Sequence, residues 1–243
     1  MIRVAAVGDI HMGPESQGTL RPSFETLPEC ADVLLLAGDL TRHGTPEEAA
    51  IVAREIKDLG VPVVAVLGNH DHHDERPEEV TAILRDAGAH VLEGQAAVVT
   101  ADGARIGVAG TKGFGGGFVG RCAGEFGEPL MKEFVRYTRR SADGLHSALK
   151  DLHEWDCDVR IALTHFSPVP DTLAGEPLEI YPFLGSYLLA EAIDTGGADL
   201  AVHGHAHAGT EHGMTSGGVR VRNVAQPVIG QAFHVYHLPG RHD

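Results

Sequence analysis

The sequence predicts an α/β fold in which two β-sheets pack together and helices cover their outer faces. Short apolar runs bounded by turn residues, such as Val33 to Gly38, are typical of strands buried on both faces. Strands and helices alternate up to Gly88, which predicts a parallel or mixed sheet. Beyond Gly88, two strand-like runs joined by Ala101-Asp102-Gly103 predict an antiparallel hairpin.

The first half of the chain has the clearest alternation. Its strands are expected over residues 2–7, 33–37 and 62–67. The first helix should begin at Thr45, which can cap it, because Pro46 and two acids follow in the first turn. That helix should end at Gly60. A second helix, opened by the same Pro-Glu-Glu sequence at Pro77, should end at Gly88.

The second half has a looser pattern. Its strands are expected over residues 95–100, 104–109, 161–164, 200–202, 219–225 and 232–238. A long helix is expected from about Pro129 to Trp155, with Gly144 as the position where it could break. The glycine-rich stretch 113–120 suits either a tight turn or a flexible rim over a site. Residues 167–184 hold several prolines without a regular period, which predicts a long ordered loop.

At 243 residues the chain is long enough for one large domain or two small ones. A single globular domain over residues 1–243 is predicted, because the ligand-type residues between Asp9 and His207 must converge. The hydrophobic fraction is 43% and the charged fraction 22%, which are ordinary values for such a domain. A formal net charge of −15, from 19 Lys+Arg against 34 Asp+Glu, argues against stable binding of the negative nucleic-acid backbone. No apolar run approaches the ~20 residues of a membrane span, so no membrane partner is expected.

The cysteine pattern and the N-terminus predict a cytoplasmic protein. Cys30, Cys122 and Cys157 are odd in number, widely spaced and without a Cys-x-x-Cys pair. This is expected of reduced, buried thiols and not of metal ligands. The chain opens directly into a strand at Ile2, which leaves no room for a secretory signal.

Residues suited to metal binding follow five of the predicted strands. In chain order they are Asp9, His11, Asp39, Asn69, His165, His205 and His207. Because open α/β sheets build their sites at the carboxyl ends of the strands, these side chains should converge at one edge. Buried strand ends seldom carry acids and imidazoles unless these are paired or bound to metal. The pattern therefore predicts a metal site.

The number and type of these side chains indicate two ions. Carboxylate and imidazole without thiolate suit Mn, Fe, Zn or Ni, and seven ligands exceed the about four to six that one ion takes. Asp9 and His11 should point to one side of an extended strand, and His205 and His207 repeat that spacing. Two metals about 3.5–4 Å apart form a clamp for in-line displacement at phosphorus, and the water between them is acidified towards a pKa of about 7.

The blocks around these residues resemble the five motifs of the calcineurin-like metallophosphoesterases. They are Gly8-Asp9-Ile10-His11, Gly38-Asp39-Leu40-Thr41-Arg42-His43-Gly44, Gly68-Asn69-His70-Asp71, Thr164-His165 and Gly204-His205-Ala206-His207. They occur in the order of that family and span most of the chain. The resemblance implies a four-layer α-β-β-α double β-sandwich flanked by helices.

The resemblance also implies a role for each side chain. The implied ligands are Asp9, His11 and His207 for a first metal and Asn69, His165 and His205 for a second, with Asp39 bridging both. His70 would face the substrate, either as proton donor to the leaving oxygen or as stabiliser of the phosphoryl charge. Asp71 would orient His70.

The activity implied by the resemblance is that of a dinuclear metal-dependent phosphoesterase. A metal-bridging hydroxide would attack phosphodiesters of small, nucleotide-like substrates, because Gly38-Asp39-Leu40-Thr41 resembles the cyclic-nucleotide phosphodiesterase-like branch. A phosphomonoesterase or a nuclease on the same scaffold is the alternative. A non-catalytic interaction module is a further hypothesis, although such proteins typically lose ligands and this chain keeps them. The oligomeric state stays open.

Three residues near the motifs have two interpretations each. Arg42 and His43 follow the expected bridging aspartate, and they either reach a substrate phosphate or lie in a solvated loop. His203 shares the period-two side of His205 and His207. It either supports the ligands or is an ordinary strand histidine.

Overall fold

The computed structural model describes residues 1–240 and confirms the predicted α/β architecture. Two sheets, of five and six strands, lie face to face around a shared apolar layer. Helices cover both outer faces and bury two further apolar layers. The order of layers is therefore α-β-β-α. Among residues 1–240, no helix combines the length and the apolar character needed to cross a bilayer.

The elements alternate regularly in the first half and less regularly in the second. The strands are β1 (Ile2–Val7), β2 (Val33–Ala37), β3 (Val63–Val66), β4 (Ala89–Val91), β5 (Gln95–Ala101), β6 (Ala104–Thr111), β7 (Gly117–Phe118), β8 (Arg121–Cys122), β9 (Val159–Thr164), β10 (Leu200–His203), β11 (His212–Met214), β12 (Arg220–Asn223) and β13 (His234–Leu238). The helices are α1 (Arg21–Phe24), α2 (Leu27–Cys30), α3 (Pro46–Ile56), α4 (Pro77–Asp86), α5 (Pro129–Glu154), α6 (Tyr181–Leu184), α7 (Tyr187–Gly196) and α8 (Gln226–Ile229). Single 3-10 turns lie at Pro14–Ser16, His70–His72, Pro170–Leu173 and Leu178–Ile180.

The five-stranded sheet places the first three predicted strands side by side. Its order is β13-β1-β2-β3-β4, with β1 to β4 parallel and β13 antiparallel to β1. Val4 pairs with Val33, and Leu34 pairs with Val63. Because these strands are parallel, β1, β2 and β3 end at the same edge of the sheet.

The six-stranded sheet has the order β11-β12-β10-β9-β6-β5. Its central strands β12, β10, β9 and β6 are parallel, and β11 and β5 are antiparallel to their neighbours. The predicted hairpin is confirmed as β5 and β6, in which Ala101 pairs with Ala104. The ends of β9 and β10 lie next to each other, so the residues that follow them are also neighbours.

Three apolar layers hold the sandwich together. The inner layer joins Leu35 and Val66 of the first sheet to Val108 and Ile161 of the second. Outside the first sheet, buried residues of α3 and α4 pack on its other face. Outside the second sheet, α5 and α7 do the same. Burial on both faces explains why the strands read as continuous apolar runs.

The two predicted helices of the first half are confirmed, with earlier ends than expected. The Thr45 side chain accepts a hydrogen bond from the Glu48 N–H at 3.2 Å, and Pro46 occupies the first helical position. Helix α3 nevertheless ends at Ile56 and not at Gly60. Helix α4 likewise ends before Gly88. Both glycines have a left-handed backbone, with φ of 77° at Gly60 and 97° at Gly88.

Helix α5 runs without interruption from Pro129 to Glu154, so the break that Gly144 could have caused is absent. Gly144 faces Gly94, and a β-carbon built at Gly144 would lie 3.2 Å from the Gly94 Cα. The missing side chain therefore allows close approach of the helix to the chain that leads into β5. A glycine within a helical pattern can mark a break in the helix, but Gly144 is explained here by its close packing on Gly94.

The long loop predicted at 167–184 contains three single helical turns, at Pro170–Leu173, Leu178–Ile180 and Tyr181–Leu184.

The cysteines follow the prediction of buried thiols only in part. Cys157 is buried, whereas Cys30 is half-buried and Cys122 is exposed. Cys122 lies in β8, whose two residues are both exposed.

Candidate metal centre

The seven predicted ligand side chains lie together at one edge of the two sheets. They form two clusters, one of Asp9, His11, Asp39 and His207 and one of Asp39, His165 and His205, with ligand atoms within 4.8 Å of one another in each. Asn69 joins the second cluster, because its Oδ1 lies 3.0 Å from His165 Nε2. Asp39 belongs to both clusters.

Both sheets contribute to the clusters. Asp9 and Asp39 follow β1 and β2 of the first sheet, and His165 follows β9 of the second. The loops continue the pairing of the strands, because the Asp9 N–H donates to the Gly38 carbonyl at 2.9 Å. Within the second sheet, the Gly204 N–H donates to the His165 carbonyl at 3.2 Å. The two sheets are joined by His165, whose Nδ1 lies 2.8 Å from the Ala37 carbonyl oxygen at the end of β2.

Four of the candidate ligands have a left-handed backbone, with φ of 56° at Asp9, 41° at His11, 49° at Asp39 and 70° at His205. A residue other than glycine in such a conformation costs about 1–3 kcal/mol, and these residues concentrate at functional sites. The prediction that Asp9 and His11 share one side of an extended strand is therefore wrong. Strand β1 ends at Val7, and the chain turns sharply after it.

Hydrogen bonds hold these left-handed turns in place. The His11 N–H donates to the Asp39 carbonyl at 3.0 Å. The His205 N–H donates to both oxygens of the Asp9 carboxylate, at 3.0 and 2.9 Å. Each strained turn is thus fixed by a turn from a different part of the chain.

The two clusters concentrate buried acids and buried imidazoles. Asp9 is 3% exposed, Asp39 2% and His165 0%. Burial is the main cause that raises the pKa of Asp9 to about 6, and the negative charge of Asp39 raises it further. The hydrogen bond with His207 lowers the pKa but only partly offsets these two effects. A buried carboxylate charge beside neutral imidazoles destabilises the folded protein when no cation is present, and a bound cation compensates it. The donor set therefore fits metal ions.

Burial disfavours protonation of three of the four candidate histidine ligands. Burial lowers the pKa of His205 to about 3 and that of His11 to about 4, and it lowers the pKa of His165 well below its ordinary value. His207 differs, because its 2.8 Å hydrogen bond with Asp9 raises its pKa. Metal binding requires the deprotonated ring nitrogen, so the environments of the first three favour ligation.

The orientation of His165 is set by a backbone carbonyl. Its Nδ1 lies 2.8 Å from the Ala37 oxygen, so Nδ1–H donates there. The electron pair of Nε2 is then directed to the cluster, where Asn69 Oδ1 lies at 3.0 Å and Asp39 Oδ1 at 3.3 Å. A carbonyl partner of this kind fixes the tautomer of a ligating histidine.

His70 lies beside the shared carboxylate. Its backbone N–H donates to Asp39 Oδ1 at 2.8 Å, and its Nε2 lies 4.0 Å from Asp39 Oδ2. Its Nδ1 lies 2.8 Å from the Arg42 carbonyl oxygen, and its side chain is 36% exposed. His70 therefore faces the open side of the clusters.

The expected orientation of His70 by Asp71 stays a prediction, because no hydrogen bond joins the two side chains within residues 1–240. The Asp71 carboxylate is fully buried and accepts hydrogen bonds from the N–H groups of Leu40, Thr41 and Gly68 and from the Thr41 hydroxyl. The Arg42 carbonyl is the partner of the His70 ring instead. Asp71 joins two loops, because its position within a single 3-10 turn points it inward.

The neighbouring charged and imidazole groups have other partners. Arg42 forms an ion pair with Glu15, and His43 Nδ1 lies 2.9 Å from a Glu48 carboxylate oxygen. His203 is fully buried, with Nδ1 2.7 Å from the Gly204 carbonyl and Nε2 2.8 Å from the Thr172 hydroxyl. His203 therefore connects β10 to the loop at 167–184 and lies outside both clusters.

The glycine-rich stretch 113–120 is packed against that same loop. The Gly116 N–H donates to the Pro182 carbonyl at 2.6 Å, and the Gly117 N–H donates to the Gly185 carbonyl at 2.9 Å. The Phe183 carbonyl lies 3.3 Å from His205 Nε2. The stretch thus supports a wall beside the second cluster, which is closer to the predicted rim than to a tight turn alone.

Lys112 is a residue near the clusters that the sequence analysis missed. It is 5% exposed, and burial lowers its pKa, whereas Glu93 and Asp39 raise it. Its position gives a signal that could have been used, because Lys112 follows the apolar strand β6 directly. The candidate ligands follow their strands in the same way.

An α-β-β-α sandwich with paired carboxylate and histidine clusters at its strand ends is the architecture of a metallophosphoesterase, a metal-dependent hydrolase of phosphoric esters. The chain belongs to the calcineurin-like phosphoesterase family, whose sequence profile matches residues 2–209. The family resemblance of the five motifs is thereby confirmed.

Two relatives match part of the chain. A probable cyclic nucleotide phosphodiesterase of Synechococcus sp. is 32% identical over 92 residues, which cover 34% of this chain and 34% of that protein. The DNA double-strand break repair protein Mre11 of Methanopyrus kandleri is 34% identical over 86 residues, which cover 29% of this chain and 19% of that protein. The chain thus spans about a third or less of the length of these relatives.

Solved structures with the same fold match most of the chain. The phosphopantetheinyl hydrolase PptH of Mycobacterium tuberculosis superimposes with a TM-score of 0.66 and 15% identity, covering 98% of each chain. The protein TT1561 of Thermus thermophilus superimposes with a TM-score of 0.57 and 21% identity, covering 91% of this chain and 88% of that one. At such identities the likeness concerns the fold.

Proposed function

We propose that this protein is a dinuclear metallophosphoesterase that hydrolyses phosphodiesters of small, nucleotide-like substrates. The observation that carries the proposal is the sharing of Asp39 by two clusters of ligand atoms. A carboxylate can bridge two ions through its two oxygens, and a pair of ions is the arrangement used for displacement at phosphorus.

The chain offers a complete set of ligands for two ions. The proposed ligands are Asp9, His11, Asp39 and His207 for the first ion and Asp39, Asn69, His165 and His205 for the second. Mn, Fe, Zn and Ni all accept this set of oxygen and nitrogen donors. The chemistry that such ions supply when bound is charge neutralisation at phosphoryl oxygens and acidification of water towards a pKa of about 7.

His70 is proposed to assist the leaving group. Its Nδ1–H is engaged by the Arg42 carbonyl, so a protonated ring presents Nε2–H to the open side of the clusters. From there it can give its proton to the departing alkoxide or stabilise the phosphoryl charge. The 36% exposure of the side chain leaves it accessible to substrate.

Two observations support a preference for small diesters, namely one relative's name and the net charge, whereas a second relative's name supports a nuclease. The Synechococcus sp. relative carries the name of a probable cyclic nucleotide phosphodiesterase, and its match supports a similar substrate class here. The match to Mre11 supports a nuclease as the second candidate. The net charge of −15 favours small substrates over nucleic-acid polymers, because the field of the protein repels a polyanion.

The test is hydrolysis of bis-p-nitrophenyl phosphate by protein reconstituted separately with Mn, Fe, Zn and Ni. Asp39→Ala and His165→Ala should lose both bound metal, measured by mass spectrometry, and hydrolysis. The exposed His90→Ala should retain both. Full activity of the Asp39 variant, or no hydrolysis of any phosphoester by the metal-loaded parent, would overturn the proposal.

A second variant tests the role of His70. His70→Ala should keep its metal and lose about 10²–10⁴-fold in turnover, the usual contribution of a general acid. Loss of metal in proportion to activity would show that His70 is a ligand. Rates on cyclic nucleotides, p-nitrophenyl phosphate and single-stranded DNA would distinguish the diester, monoester and nuclease alternatives.

A further inference from the structure

Residues 176–183 contact the loop that follows β10, and this loop carries two of the candidate ligands. At one end of the segment, the Ala208 N–H donates to a Glu176 carboxylate oxygen at 2.7 Å. At the other end, the Phe183 carbonyl oxygen lies 3.3 Å from His205 Nε2. Phe183 is therefore in direct contact with a candidate ligand of the second cluster.

The clusters are open to solvent beside this segment. The His207 side chain, which precedes Ala208 in the chain, is 45% exposed, and His205 is half-buried. A substrate whose phosphoryl group is held at the clusters has space on this side for the rest of the molecule. That remaining part then lies next to residues 176–183.

The segment exposes large apolar side chains at this opening. Leu178 is 61% exposed, Ile180 37% and Phe183 62%. Within residues 1–240, no other aromatic ring packs on the ring of Phe183. Large apolar side chains that are grouped on a surface mark places where a ligand or a partner binds.

The backbone that carries the Phe183 ring is held firmly. The Gly116 N–H donates to the Pro182 carbonyl at 2.6 Å. A β-carbon built at Gly115 would lie 3.1 Å from the Phe183 Cα, so the glycine-rich stretch packs closely against this residue. Phe183 is thus exposed on a backbone that is already ordered, and a ligand that binds its ring pays less entropy for ordering the site.

The charge of the segment indicates what kind of group it binds. Glu176 and the exposed Glu179 give it negative charge, which disfavours a second anionic group beside the opening. A neutral, planar group suits it better, because an aromatic ring offers its face for stacking. In a nucleotide, the base is such a group, and it is joined to the phosphate through a sugar.

We propose that Phe183, together with Leu178 and Ile180, binds the base of a nucleotide whose phosphate is held at the two clusters. This inference rests on the proposed phosphoesterase function and names the residues that select its substrate. Phosphate esters with a planar aromatic group are therefore bound more tightly than esters that carry a sugar alone.

The experiment compares AMP with ribose 5-phosphate, which has the same phosphate and sugar but no base. Calorimetry of the metal-loaded parent should show tighter binding of AMP. Phe183→Ala should weaken AMP binding about tenfold and leave ribose 5-phosphate unchanged, because stacking on the base contributes only to the first. Phe183→Trp should keep AMP affinity at or above that of the parent.

The control is Trp155→Ala, which removes another exposed aromatic ring and should change neither affinity. Trp155 is 41% exposed and precedes β9, whereas His165 follows β9, so this ring lies at the opposite edge of the sheet. Metal content and melting temperature of Phe183→Ala should match the parent. The variant removes only an exposed ring and keeps the carbonyl that contacts His205.

The outcomes separate this inference from the proposed function. Equal affinity of the parent for both compounds, unchanged AMP binding in Phe183→Ala, or equal weakening of both compounds would overturn the inference, even if the parent hydrolyses phosphodiesters. A parent protein that binds AMP through Phe183 but hydrolyses no phosphoester would overturn the proposed function alone.

Discussion

The carboxylate of Asp71 accepts hydrogen bonds from the backbone N–H and the hydroxyl of Thr41, at 2.8 and 2.6 Å. It also accepts from the Gly68 N–H at 2.8 Å. These bonds tie the loop after β2, which carries Asp39, to the loop after β3, which carries Asn69. The loop that carries Asp39 and the loop that carries Asn69 are therefore joined by hydrogen bonds into one unit. The buried Asp71 between them helps to position Asp39, the carboxylate that belongs to both clusters.

The first prediction concerns this link. Asp71→Asn should lower the free energy of unfolding by about 1.5–3 kcal/mol, because it weakens several hydrogen bonds to a buried charge. Asp86→Asn, at an exposed site in α4, should change it by less than about 0.5 kcal/mol. Denaturant unfolding measures both. A variant that keeps full stability and loses only turnover would instead support the interpretation that Asp71 orients His70.

The second prediction concerns the close approach at Gly68. A β-carbon there would overlap the carboxylate and backbone N of Asp39. Gly68→Ala should therefore displace Asp39, lower the metal content and cost about 1–3 kcal/mol of stability, as overpacking does. Gly124→Ala is the control, since a β-carbon at Gly124 meets nothing within 4 Å. Normal metal content in Gly68→Ala would show that the carboxylate has room to move.

The third prediction separates two histidines that lie two residues apart, His203 at the end of β10 and His205 in the motif that follows it. His203→Ala should cost about 2–4 kcal/mol, because it leaves a cavity and an unpaired Thr172 hydroxyl, and it should retain its metal. His205→Ala should lose metal. Metal analysis together with thermal unfolding distinguishes them. Protease cleavage within residues 167–184 should increase in the His203 variant, and a loss of metal there would make His203 part of the centre.

The fourth prediction is a pH dependence at the ion pair of Arg3 and Asp32. Burial raises the pKa of Asp32, but hydrogen bonds and charge attraction from Arg3 outweigh burial and hold the pKa below its ordinary 3.8. A carboxyl with a lowered pKa in the folded state stabilises that state above the unfolded pKa. This stabilisation is lost as the pH falls below 3.8 through the folded pKa.

Asp32→Asn should therefore reduce stability by about 1 kcal/mol at a pH of about 7 and of about 5. The difference between the parent and the variant should shrink as the pH is lowered below 3.8. Unfolding by denaturant at each pH measures the difference. A gap that stays constant down to the lowest pH at which both proteins fold would contradict the assignment.

The strands and the positions that follow them could be predicted from the sequence because the signals are local. Burial of β2 on both faces requires an unbroken apolar run, and the end of that run marks the point where Asp39 follows. The helix start at Thr45 is also local, since a capping side chain and a proline stand next to each other. The same holds for the hairpin turn at Asp102, which has a left-handed backbone.

The errors have a common physical origin in contacts between distant parts of the chain. The possible helix break at Gly144 is absent, and the glycine instead faces Gly94, a neighbour that no local pattern reveals. The extended geometry expected at Asp9 and His11 is replaced by left-handed turns, because hydrogen bonds to the loop after β2 hold them.

By itself, the sequence determined which strands are buried and which ligand-type residues follow them, since apolar periodicity and residue chemistry are written along the chain. Only the tertiary structure decided that Asp39 is common to both clusters, that Asp71 binds Thr41 and that Lys112 lies among three aromatic rings. Each of these depends on side chains that meet across two packed sheets or between neighbouring loops. Their positions are set by the packing of the whole molecule, because hydrogen bonds and ring contacts act over a few ångströms in space regardless of separation along the chain.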